Sequence, residues 1–192
     1  MTRYIPEHVT QRDGSPCWTT QCWAAGGAWM TDGASGGRLT PTPTQFRSRA
    51  GKGARCQPGG MADWIRGLMA YGVWGRCKAR YDVPVDEVRR LLLRRSGALI
   101  ALETDFEDWP EASVCQPDFN DREDAYHGIG VICGEGTGPH RGEVRVMQPL
   151  CRAYRWVDVG EVMQAANIYN REHKEVRGTL DFVVVLPPQV KE

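Results

Sequence analysis

The stretch HVTQRDGSPCWTTQCWAAGGAWM, residues 8–30, decides how the rest of the chain is read. Thr19 to Trp29 is apolar on every side, which predicts a central, largely buried helix. Cys17 stands at the head of that run, and Gln11 lies a short turn upstream. A thiol at a helix N-terminus has its pKa lowered by the helix dipole. The same N-terminus offers free backbone N–H groups to a developing oxyanion, and a nearby side-chain amide can supply a second donor. An ordinary buried cysteine opening a core helix produces the same local pattern.

The bulk numbers set the frame around this segment. At 192 residues the chain suits one domain with a core of its own, and 41% hydrophobic with 25% charged residues is globular composition. The formal net charge is zero, which argues against a nucleic-acid groove. Arg89, Arg90, Arg94 and Arg95 read as the solvated face of a helix whose other side is Val88 and Leu91 to Leu93. No stretch approaches the roughly 18 apolar residues of a membrane span, and MTRYIPEHVT has no apolar signal core, so no secretion signal is expected. The seven cysteines include no CxxC pair, and the four histidines stand far from any paired cysteine, so no metal and no cofactor is called for. An odd count leaves at least one thiol over, and a reducing cytoplasm is the simplest setting. Phosphate-loop and EF-hand spacings are absent.

Along the chain, Thr42 and Pro43 read as N-cap and first turn of a helix through Arg49. Gly60 to Tyr71 is amphipathic, with Met61, Trp64, Ile65, Leu68 and Met69 on one face and Gly72 as its stop. Pro84 to Arg95 is a further helix. After Gly97 the period changes: Ala98 to Leu102, Tyr126 to Cys133, Glu143 to Met147, Arg152 to Val157 and Leu180 to Leu186 read as strands, with a helix over Val159 to Tyr169. Thr104 to Asp124 is a long acidic loop of the kind that is usually functional or mobile. Helices first and mostly antiparallel strands afterwards predict one α+β domain over 1–192, with a helical lobe to about residue 97 and a sheet lobe beyond. A cleft between the lobes puts Cys17 opposite the first strand after the acidic loop.

A cysteine nucleophile needs a base, and His127 is the best placed histidine, opening an apolar strand beside Gly128. His8 precedes the helix, and His140 and His173 sit in polar contexts that suggest exposure. Gln148, at the end of the neighbouring strand and before Pro149, is the candidate to orient the imidazole, with Asp118, Asp124 and Asp158 as fallbacks. The candidate catalytic set is therefore Cys17, His127, Gln148 and Gln11.

The order of these residues resembles the papain-like cysteine peptidases. The likeness is to the bacteriocin-leader-processing type and its relatives among tail-associated proteins of actinobacterial phages. It rests on Gln11, Asp13 to Cys17, Ala24 to Met30, His127 to Ile132, Gln148 to Leu150 and Trp156, roughly residues 5 to 170. The resemblance implies a two-lobed fold and a peptide or cell-wall peptide substrate. It also implies phage tail proteins as partners, and a virion or host-cytoplasm location. Two positions depart from the pattern: Gln148 stands where Asp or Asn is usual, and bulky Trp18 follows Cys17. In a second alignment, Cys22-Trp23-Ala24 resembles the Cys-Trp-Ala of papain, but residue 22 then lies a turn inside the expected helix with Pro16, not an amide, upstream. A subunit that keeps the fold without activity is the alternative reading.

Overall fold

A computed structural model describes residues 2–17, 20–53, 56–105, 126–134, 136–173 and 178–190. Its frame is a six-stranded sheet in the order β2-β7-β3-β4-β5-β6 with every neighbouring pair antiparallel. The strands are β2 (Cys77–Pro84), β3 (Leu99–Asp105), β4 (Tyr126–Ile132), β5 (Glu143–Met147), β6 (Arg155–Asp158) and β7 (Thr179–Val185). A two-stranded ribbon, β1 (Thr2–Arg3) with β8 (Gln189–Val190), closes one end. Among the described residues there are five α-helices: α1 (Cys22–Ser35), α2 (Pro43–Arg49), α3 (Met61–Ala70), α4 (Val85–Leu93) and α5 (Val159–His173). The protein is α+β.

Alternation along β3 and β4 feeds two cores, because successive side chains of a strand point to opposite faces. Ile100, Leu102, Ile129 and Val131 join one cluster with Val88 and Leu92 of α4 and Val162 and Ala166 of α5. Leu99, Ala101 and Ile132 join the other with Trp23, Trp29 and Met30 of α1 and Trp64 and Leu68 of α3. The sheet is thus the middle of three layers. All fourteen residues of α1 are buried, as expected of a segment apolar on every side. Where α1 crosses β4 the strand carries Gly128 and Gly130. A Cβ on Gly130 would lie 2.6 Å from the Trp29 ring, and one on Gly128 would lie 3.2 Å from the Trp23 Cα. Only glycine lets this helix lie so close to the strand.

Three expectations change. The sheet recruits β2 from before residue 97, so strands do not simply follow helices, and α4 lies on the sheet face opposite α1. The β2 strand escapes a sequence reading because its pairing with β7 shifts register between Arg80 and Val83, with Asp82 at φ 51°. Helix α1 begins at Cys22, three residues later than expected, and Met69 of α3 is exposed, not on the buried face. The acidic segment beyond Asp105 lies outside the described residues, as do Trp18, Trp109, Cys115, Asp118 and Asp124. No helix among the described residues is long and apolar enough to cross a membrane.

Candidate functional site

The turn before α1 is organised by Asp13. Its carboxylate accepts the Ser15 N–H at 3.1 Å, the Gln21 amide Nε2 at 2.7 Å and the Thr44 N–H at 2.8 Å. Burial raises the Asp13 pKa, but these donors outweigh it and hold the carboxyl below its ordinary value. The Gln21 amide also donates to the Gln11 carbonyl at 2.6 Å. Its role is therefore to tie the turn to the helix start; it does not cap α1, which has no side-chain cap at all.

Cys17 is not a thiol here. Its sulfur is bonded to that of Cys56, with the two Cα atoms 4.8 Å apart, so the expectation of a reactive, low-pKa nucleophile at this position is corrected. Cys151 is also disulfide-bonded, while Cys22, Cys77 and Cys133 keep their thiols. Burial pushes the Cys77 and Cys133 thiols up to about 12, leaving them unreactive.

Cys22 occupies the place that Cys17 was expected to fill. It is the first residue of α1, and the backbone N–H groups of Gly128 and Trp23 lie close enough to its sulfur to pull the thiol pKa down. Gly128 directly follows His127, so the helix start and the histidine strand meet at this sulfur. Burial raises the Cys22 pKa. The N–H groups work against that rise, and the carboxylate of Glu103 adds to it. Glu103 lies across from Gly128 on β3 and accepts the Met61 N–H at 3.0 Å, giving α3 the acidic cap that its N-cap glycine cannot supply.

His127 and Gln148 meet as expected, with Nε2 of the ring 2.7 Å from Oε1 of the amide. The same Oε1 accepts the Leu150 N–H at 2.8 Å, which only an oxygen can do. Nε2 therefore carries the proton, and Nδ1 is the basic nitrogen. Asp158 is not the orienter: it bonds the Gly160 N–H at the far end of β6, separated from β4 by β5. Gln11 is buried and its N–H donates to the Pro149 carbonyl at 2.9 Å, beside Gln148.

His8 was passed over in the sequence but braces this corner. Its Nε2–H donates to the Gln148 carbonyl at 3.1 Å, and its ring sits edge-on to Tyr154. Only the fold reveals this, because 140 residues separate the partners. His140 pairs with Glu143 and stacks on Trp156 at the sheet's edge, where neither takes part in the site. Among the described residues, no group of His, Cys, Asp and Glu could hold a metal ion.

Burial pushes His127 down to about 4, with the Gln148 hydrogen bond working in the opposite direction. His127 is thus a neutral imidazole at pH 7, and burial keeps the Cys22 thiol neutral as well. The unfolded chain takes up this proton near the ordinary histidine value of about 6.5. Stability that depends on neutral His127 is therefore complete above that pH and lost as the pH falls toward 4. Urea denaturation at pH 7.0, 6.0 and 5.0 should show falling stability, and His127→Gln should flatten the slope. An unchanged slope in the variant would mean that His127 is not buried in its neutral form.

No protein-family model matches the chain, and no curated protein matches it either.

Proposed function

We propose that the chain is a papain-like cysteine peptidase or amidase of two-lobed architecture, with Cys22 rather than Cys17 as its nucleophile. The observation that carries this reading is the meeting of the Cys22 sulfur with the Gly128 N–H, one residue from a histidine whose Nε2 is committed to Gln148. Because the thiol and imidazole are both neutral, attack and deprotonation occur together: Nδ1 of His127 takes the thiol proton as sulfur bonds to the carbonyl carbon. The same nitrogen then delivers that proton to the leaving amine, and water releases the acyl group in a second round. Gln148 keeps the ring in the productive tautomer and, lacking charge, stabilises imidazolium less than a carboxylate would. The Cys22 N–H at the uncapped start of α1 is the main-chain oxyanion donor, with the Gln11 amide as the side-chain donor.

Peptide or cell-wall peptide substrates, phage tail partners and a virion location follow from the resemblance of the Gln11-to-Leu150 motif order and are part of the same proposal. One observation favours the second reading, a tail-tip subunit without activity. Cys22, His127 and Gln148 are only 7%, 3% and 1% exposed, so a substrate needs the site to open.

A peptidyl vinyl sulfone, followed by mass mapping of the adduct, separates the two. A single adduct on Cys22 that disappears in His127→Ala supports the enzyme. Adducts on Cys77 or Cys133, or none at all at pH 8, support the inactive subunit.

A further inference from the structure

The two ends of α1 differ in character. Its first residue is Cys22, while its last turn, Ala34 and Ser35, lines a recess of about 350 Å³ that adjoins another of about 460 Å³, the two sharing Arg38, Leu39 and Tyr71. A helix of fourteen residues spans about 21 Å, so these recesses are remote from the thiol.

Three arginines converge there: Arg38 lines both recesses, Arg49 one and Arg76 the other, and no acidic side chain lines either. None of the three has a carboxylate partner among the ion pairs of the described residues. Part of this charge answers the helix ends: Nε of Arg38 donates to the Ser35 carbonyl at 3.0 Å, and Arg49 lies in the last turn of α2. The rest of the Arg38 fork, and the whole of the Arg49 and Arg76 forks, is left to the solvent side. Tyr71 forms the floor. Its ring stacks on Phe46 with centroids 6.0 Å apart, and the Arg49 guanidinium sits 5.5 Å above it. Leu39, 37% exposed, adds an apolar edge.

We propose that this groove binds an acidic peptide segment carrying two or more carboxylates. Guanidinium forks match carboxylates in a bidentate way, and a stacked aromatic floor with an exposed leucine suits the apolar side chains between them. A nucleic-acid strand needs a longer basic track than three arginines on a chain of zero net charge. The groove is a docking site separate from the catalytic cleft, and its argument does not depend on the peptidase reading.

The test uses the full chain as Cys22→Ala and a fluorescein-labelled Glu-Glu-Leu-Glu-Glu peptide, read by anisotropy in low salt. Binding that weakens about tenfold between 50 and 300 mM salt is expected. Arg49→Gln with Arg76→Gln should lower affinity about tenfold or more, while Arg89→Gln with Arg90→Gln on α4, in the opposite layer, should change little. These side chains are exposed, and circular dichroism checks that each variant is folded. Equal affinity for a Lys-Lys-Leu-Lys-Lys peptide overturns the proposal, and so does equal loss in the α4 variant. Inorganic phosphate or an oligonucleotide that binds as tightly as the acidic peptide also overturns it.

Discussion

Cys22→Ala is expected to abolish peptide or amide hydrolysis, by about a thousandfold or more, without unfolding the protein. Alanine suits the first turn of a helix, and Cys22 is the first residue of α1. The paired variant Cys17→Ala/Cys56→Ala should behave in the opposite way. It removes a crosslink between residues 39 apart, which loop-closure entropy values at about 4 kcal/mol, and leaves the Cys22 thiol in place. Turnover per folded molecule should survive in that variant while its urea midpoint falls. If instead Cys22→Ala keeps full activity, or the disulfide variant loses it while still folded, the assignment of the nucleophile is wrong.

The largest stability effect is expected at Trp64. This side chain is fully buried, its Nε1–H donates to the Trp23 carbonyl at 2.6 Å, and its ring packs within 3.6 Å of the Cβ position on Gly26 and 3.1 Å of that on Gly128. It is therefore the wedge that seats the first turn of α1 against β4. Trp64→Ala should cost about 3–5 kcal/mol through the cavity it leaves. Trp64→Phe keeps most of the volume and isolates the hydrogen bond, costing about 1–2 kcal/mol. In Trp64→Phe the iodoacetamide reaction of Cys22 should also quicken, because the helix start loses one of its ties to the strand. A urea series on both variants, with the alkylation rate measured beside it, checks the two effects. A cost under about 1 kcal/mol for Trp64→Ala would mean that α1 is held by other contacts.

Much of the fold is legible where local chemistry settles the outcome. Thr42-Pro43-Thr44-Gln45 announces α2, and both arms of its capping box form: Gln45 N–H to Thr42 Oγ1 at 3.2 Å and Thr42 N–H to Gln45 Oε1 at 2.9 Å. The meeting of His127 and Gln148 is readable because adjacent antiparallel strands joined by a glycine-rich turn bring their far ends together. The start of α1 is not readable, because no capping side chain marks it. Its position is set by the Gln21 bonds to Gln11 and Asp13 and by the crosslink to Cys56. Which cysteine keeps its thiol is hidden for the same reason. Whether Cys17 or Cys22 keeps its thiol depends on a cysteine 39 residues further along, which no local pattern reports.

A reductant added to protect a thiol works against the scaffold of this protein. Cys56 is exposed, so a reagent that keeps Cys22 as a thiol also reaches the crosslink behind it. Dithiothreitol would keep the Cys22 thiol reduced and cut the Cys17–Cys56 crosslink in one step. Anaerobic handling with a metal chelator protects the first sulfur while sparing the second.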